Sequence, residues 1–406
     1  MSTIVRAPNL RTVLLASGVV LTMAMGVRHG FGFWMQPLSQ AHGWTRETYS
    51  LALALQNLMW GVFGPFVGMA ADRLGTAKVV TAGALFYAAG LLWMALVDSS
   101  FLFIVGSGVL IGAGLACTAF GAISGIIGRT APAAQRSWAF GLSSAAGSFG
   151  QFMMMPVEQH LILANGWQQA LTILAILVLV LMLPMAYFLR EPALSVGNVR
   201  QQSIAEAVRE AFSYGSFRLL LAGYFVCGFQ LVFIGVHMPV YLRDRGLSDG
   251  NVAVAALALI GLFNIFGSYT AGRLGGLYPK RTLLASIYFG RVIVIGLFLL
   301  APLTPWSVYV FSAAIGFLWL STVPLTNCVV AGIFGVRHLS MLAGFVFLSH
   351  QVGSFFGAWL GGYLYARQGS YDVVWAITLL LGVGAALVSL PINERPIVRN
   401  ALKAIC

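Results

Sequence analysis

Long apolar runs alternate with short polar turns along this chain, and the length of the runs predicts its elements. Twelve apolar stretches can be marked, roughly at 12–36, 48–70, 78–97, 101–127, 138–160, 168–189, 218–241, 251–271, 282–301, 306–331, 340–364 and 372–391. Each supplies about the 20 residues an α-helix needs to cross ~30 Å of hydrocarbon. None shows the period-two alternation of a barrel strand. The pattern predicts an all-α membrane protein with twelve transmembrane helices. The first stretch follows Arg6 and Arg11. It is too long for a signal-peptide core and has no convincing cleavage site, so it is expected to remain as a membrane span.

The polar turns repeat. Gly68, Asp72, Arg73, Gly75 and Lys78 form a charged turn between the second and third stretches; 204 residues later, Gly272, Gly276, Lys280 and Arg281 form a worn echo between the eighth and ninth. Gly43-Trp44-Thr45 leads into the second stretch as Gly246-Leu247-Ser248 leads into the eighth, with Thr45 and Ser248 as expected N-caps. Gly147-Ser-Phe-Gly150 and Gly353-Ser-Phe-Phe-Gly357 match at a similar offset, as do Arg136 and Arg337. A half-length repeat in a very apolar chain predicts two pseudo-symmetric six-helix halves, the scaffold of a transporter. The expected division is 1–190, a central loop at 191–217, and 218–406. Within the loop, Ser203 to Phe212 is expected to form a surface amphipathic helix.

Composition sharpens this reading. Only 8% of residues are charged, against about 25% in soluble domains, which is too few to cover a water-exposed surface. Apolar residues make up 59%, and mean hydropathy is +0.88. The net charge of +12 could suggest nucleic acid, but its distribution does not. Arg46, Arg243, Arg245 and Arg367 fall in odd-numbered loops and Arg28 and Arg291 inside spans; the remaining Lys and Arg occupy the termini and even-numbered loops. That asymmetry places both termini and the even loops in the cytoplasm, with the chain in a bacterial-type inner membrane. No nucleic-acid partner is implied, and membrane lipid is the expected surrounding. The four cysteines, Cys117, Cys227, Cys328 and Cys406, have no metal or redox spacing. Gly106-Ser-Gly108 to Gly112-Ala-Gly114 looks loosely like a dinucleotide fingerprint, but it lies inside an apolar run and is better read as helix packing. With no nucleotide loop, nucleophile triad or metal cluster, no cofactor and no enzymatic chemistry are expected.

The Gly68–Lys78 turn resembles the loop between helices two and three of the major facilitator superfamily. Gly68, Asp72, Arg73 and Gly75 match its pattern, and Lys78 falls one place late. The resemblance implies that Asp72 faces the start of helix eleven and, with Gly68, Arg73 and Gly75, helps hold the cytoplasmic side shut. A carboxylate beside a helix N-terminus is a physically sound latch. A narrower similarity, to the monocarboxylate porters and oxalate–formate antiporters, rests on Phe31-Gly-Phe33, Pro37-Leu38, Gly43-Trp44 and the Gly353–Gly357 patch. Those relatives usually carry an Arg in span eight, where this chain offers Asn264 and no Arg. In the oxalate–formate antiporters a basic residue on helix eleven binds substrate, and His350 lies at a similar level.

A charge inside a membrane span needs a reason, since its insertion costs about 2.5–3.5 kcal/mol. Arg28 and Arg291 lie inside spans one and nine, while Asp72, Asp98 and Glu158 all lie near span ends. Arg28 is therefore a candidate for an anionic substrate, with snorkelling as the alternative; Arg291 is read as packing. His237 and His350 are candidates for substrate or proton, and His29 is read as packing. Gln230, His237 and Tyr241 share one face of span seven by their spacing. Asn57, Asn264 and Gln351 complete the candidate contacts, with bonding between helices as the commoner use of such amides. Any proton coupling would rest on histidine, on the substrate's own proton or on Glu158. The expected function is alternating-access transport of a small organic anion, a monocarboxylate first, by a monomer with protons as the candidate coupling ion. Efflux of drugs or metabolites is the rival within the class, and a transporter-like sensor the rival outside it.

Overall fold

In a chain this poor in charge, backbone polar groups must be satisfied internally, and helices do so within one segment. The computed structural model describes residues 9–44, 46–191, 202–247 and 250–397, and all regular structure among them is helical. The first half comprises α1 (Leu10–His29), α2 (Met35–His42), α3 (Arg46–Leu74), α4 (Thr76–Leu96), α5 (Ser100–Thr118), α6 (Phe120–Thr130), α7 (Arg136–Asn165) and α8 (Trp167–Phe188). After α9 (Ile204–Ser213), the second half follows as α10 (Gly215–Asp244), α11 (Gly250–Leu274), α12 (Lys280–Leu300), α13 (Pro305–Leu318), α14 (Thr322–Phe334), α15 (Leu339–Gln368) and α16 (Asp372–Ser389). These make twelve passes in two halves. Eleven are long and apolar enough to cross a membrane. The other, α7, is 30 residues long, but its apolar run is diluted by Ser143, Ser144, Ser148, Gln151 and Glu158. All five are buried against protein rather than lipid.

Three expected spans are not continuous α-helices. The first changes to a 3₁₀ turn at Gly30–Trp34 before α2 resumes. The fourth breaks at Ala119, whose backbone is extended. The tenth, its counterpart in the second half, breaks between Leu318 and Thr322. A break inside hydrocarbon survives only where protein takes over the freed backbone bonds. Here Arg291 donates to the Leu318 carbonyl at 2.8 Å through Nη2 and to the Trp319 carbonyl at 2.5 Å. Asn264 Oδ1 accepts from the Leu320 N–H at 2.9 Å.

The repeated glycines have structural reasons. Gly75 and Gly246 hold φ at +90°, and Gly43 at +65°, backbone that a side chain would strain. Thr45 and Ser248, the expected N-caps, lie outside the described residues. A Cβ on Gly68 would collide with the Ser340 backbone of α15, and one on Gly272 with Gly141 of α7. The halves thus meet twice in pseudo-symmetric fashion, α3 against α15 and α11 against α7. Gly272, in the worn loop, permits the second of these contacts. Both contacts lie at the end that carries Arg73, Lys78, Lys280 and Arg281, here called the basic end. The connector helix α9 forms close to its expected place and is opened by a capping box between Ser203 and Glu206. Ala207 and Ala211 make its buried face.

Candidate substrate site and gate

The candidate gate lies where the ends of three helices meet. Asp72, in the last turn of α3, accepts from the Ser340 N–H at 3.3 Å and the Met341 N–H at 3.0 Å. These are orphan donors of the first turn of α15, where the helix dipole also favours a carboxylate. The expected latch of Asp72 on helix eleven thus has its geometry. The turn motif names no cationic partner for Asp72. Arg73 is exposed, and the guanidinium beside Asp72 belongs to Arg129, at the end of α6, 2.9 Å away. Arg129 also holds Glu191 through Nε at 2.7 Å and Nη2 at 3.1 Å. Thr76 Oγ1 donates to the same carboxylate at 3.1 Å. One arginine therefore ties the α3–α4 turn to the residue from which the central loop departs. Arg73 entered the expected gate through its match to the family's turn pattern. Helix geometry instead turns residue 73 outward while 72 points in.

At mid-bundle, four of the eight candidate contacts come together across the two halves. Arg28 Nη2 donates to Asn57 Oδ1, and its guanidinium lies 5.2 Å from the centre of the Trp60 ring. Arg28 Nε is buried without a partner, and no carboxylate pairs with Arg28 among the described residues. Gln351 Nε2 on α15 donates to the Asn57 carbonyl at 3.0 Å. His350 Nδ1 lies 3.3 Å from Gln351 Oε1 and 3.4 Å from Ser354 Oγ. An aromatic path runs beside this polar one: Trp60 lies 4.6 Å from Phe347, which stacks on His350 at 5.6 Å. Hydrogen bonds thus join α3 to α15 at two levels, Asp72 at the basic end and Asn57 at mid-bundle.

The other four candidates are placed elsewhere. Gln230, His237 and Tyr241 do share a face of α10, but it turns into the second half, toward α16. Gln230 is wholly buried and bonded to the Thr378 carbonyl at 3.1 Å and to Arg291 at 3.3 Å. His237 lies 2.9 Å from the Ala358 carbonyl and 3.2 Å from the Tyr371 hydroxyl. Tyr241 packs on Trp375 and Tyr371. A sequence period identifies a face but not what the face meets. Asn264 is wholly buried and spends its bonds on Ser148 at 2.9 Å, Ser268 at 3.2 Å and the Leu320 N–H. It joins α11 to α7 and supports the break in the tenth pass. Arg291, read as packing, is wholly buried and serves that same break. His29 bonds to the Met25 carbonyl one turn back.

Two residues carry more than the sequence suggested. Arg129 is one. The other is Glu158, which lies near a span end in the sequence yet has no exposed surface, because α7 continues past it and packs its carboxyl group against the Gly30–Trp34 turn. Its carboxylate accepts from Trp34 Nε1 at 2.8 Å.

Twelve helical passes in two pseudo-symmetric halves, closed on each other at one end around a polar centre, define the secondary-transporter class. A profile of the Major Facilitator Superfamily matches residues 14–327, and the chain belongs to that family. It is 24% identical to the uncharacterized MFS-type transporter YcxA of Bacillus subtilis (strain 168), across 96% of this chain and 97% of that one. It is 27% identical to monocarboxylate transporter 11 of Homo sapiens, across 84% and 74%. A crystal structure of the E. coli fucose:proton symporter FucP shares its fold with a TM-score of 0.75 at 16% identity, covering 95% of this chain and 98% of that one.

Proposed function

We propose that this transporter carries a small organic anion, a monocarboxylate first, between its two halves by alternating access with proton symport. Residues 1–190 and 218–406 are the rocking bodies, and 191–217 connects them on the cytoplasmic side. The carrying observation is Arg28: a cation at the seam between the halves, with a buried Nε and no carboxylate to pair with among the described residues. A substrate carboxylate supplies the missing counterion, and a guanidinium can hold it through two parallel bonds. Asn57, Gln351 and His350 add donors from both halves, so the anion draws the halves together around itself. Trp60 and Phe347 form an apolar wall suited to a short carbon chain. The similarity to a monocarboxylate transporter supports the same substrate class. Asp72 and Arg129 hold the basic end shut in this conformation. Gly68 permits the close approach there, and Gly75 the turn behind it.

The test is uptake of labelled lactate, pyruvate, formate and oxalate into proteoliposomes, with and without an inward proton gradient. Gradient-driven accumulation of any of them is expected. Arg28→Ala should lower uptake by at least about tenfold, the effect of losing about 1.4 kcal/mol of anion binding; Arg28→Lys should recover part of it. Absence of uptake in liposomes shown to contain folded protein would move drug or metabolite efflux to first place.

A further inference from the structure

We propose that Glu158 is the proton-binding site of this transporter, and that the 3₁₀ turn Gly30–Trp34 links its protonation to the anion held at Arg28. The proposal rests on the anion–proton symport reading above. Glu158 lies in the last third of α7 with no exposed surface. One carboxyl oxygen accepts the Trp34 N–H; the other, Oε1, is buried without a partner. No cation pairs with it among the described residues. An unpaired ion in such surroundings carries a heavy desolvation cost, which a proton removes.

The carboxyl group sits directly on the irregular part of the first pass. A Cβ added at Gly30 would collide with it, so the absence of a side chain there lets the acid lie against the backbone. Trp34, its donor, closes the same turn. Arg28 enters this turn from α1, two residues before Gly30. A 3₁₀ stretch within a helical pass often marks a hinge. A movement of this turn that carries Arg28 therefore also moves the donor of Glu158.

The surrounding titratable groups leave the acid to itself. On α1, Arg28 is bonded to Asn57 and His29 to the Met25 carbonyl. From α3, the Tyr49 hydroxyl donates to the Phe31 carbonyl at 2.6 Å; from α4, that of Tyr87 donates to the Ala24 carbonyl at 3.0 Å. Near α2, His42 stacks on Trp44 and faces Asp98. His160 is exposed on another face of α7. Arg129, Arg273, Tyr269 and Cys328, on the other helices that pack along α7, belong to its basic end, and Tyr187 of α8 is likewise at that end. In each cycle Glu158 takes one proton from one side and gives it up to the other, with no other bond changed. One proton per monoanion leaves the cycle without net charge transfer.

Two measurements test this. Infrared difference spectra of the purified protein between acid and alkaline pH should show a carboxylic C=O band that Glu158→Gln removes. A wild-type spectrum lacking that band overturns the proposal whatever the substrate. In proteoliposomes, an inward gradient of one pH unit should drive about tenfold accumulation of formate or lactate in the wild type. Glu158→Gln should hold accumulation near about onefold while keeping counterflow of the same anion within about twofold. Accumulation by Glu158→Gln equal to wild type overturns the proposal. If the wild type moves none of these anions, the substrate reading fails, and the infrared band still decides whether Glu158 exchanges a proton. Should Glu158→Gln not fold, Glu158→Asp keeps the acid at a new distance from Trp34. It should shift the pH profile of accumulation, and an unchanged profile again counts against the proposal.

Discussion

At the residue scale, the distinction that matters is between polar side chains that have spent their bonds and those that have not. Gln230, His237, Asn264 and Arg291 are spent on neighbouring helices, whereas Arg28 and Glu158 each keep a buried atom without a partner. His237→Phe should therefore leave the KM for the transported anion within about twofold, because interhelical bonds of this kind average only about 0.6 kcal/mol. A rise of tenfold would return His237 to the site. The gate makes a sharper comparison. Arg129→Ala removes a cation that is hydrogen-bonded to two carboxylates, and bonds to charged groups contribute about 1.5–3 kcal/mol each. It should shift the closed basic end toward opening by tenfold or more, read as the labelling rate of a cysteine placed beneath the gate. Arg73→Ala, on an exposed side chain, should change that rate by less than about twofold, as surface charges do. The sequence motif pointed to Asp72, which meets the start of α15, but could not reveal its partner, since Arg129 is distant in sequence and meets it only through folding.

At the element scale, irregularities in the passes carry as much information as the helices. The tenth pass is interrupted, and Arg291 and Asn264 satisfy the peptide groups it frees. Arg291→Met should lower stability by about 2–5 kcal/mol, since it strands two buried carbonyls and Gln230. The loss should appear as a lower Tm of the purified protein, without a selective effect on anion affinity. Glycine contacts are equally specific. Gly68→Val would place side-chain atoms on the Ser340 backbone. It should prevent closure at the basic end and abolish net transport, while Gly276→Ala, which meets nothing closer than 3.4 Å, should be tolerated. A twelve-span reading of hydropathy found the passes and the connector helix α9. It missed the breaks at Gly30–Trp34, Ala119 and Leu318–Thr322, because local apolarity does not change where a helix opens inside a protein.

At the scale of the whole molecule, the duplicated sequence becomes a duplicated contact: α3 on α15 and α11 on α7, each with a glycine at the crossing. Only the first carries an acid latch. Asp72 caps the start of α15, while its position in the second half has decayed to Gly276. The contact at the basic end is thus latched on one side, and Asp72→Asn should weaken it more than a change at Gly276, Lys280 or Arg281. Distance measurements between labels across the basic end would read the two populations directly.

The sequence by itself determined the membrane class, the number of passes, the two halves and the family. Each follows from properties that add up along a chain: apolar run length, charge asymmetry between loops and a repeat at half the length. It also singled out Arg28, because a charge inside an apolar run is conspicuous without coordinates. Only the tertiary structure decided which polar residues face one another across the seam. It turned the Gln230–Tyr241 face inward, gave Asp72 its partner in Arg129, and buried Glu158 against the turn at Gly30. These are pairings between helices far apart in sequence, and periodicity within one helix leaves its rotation and its neighbours undetermined until the bundle packs.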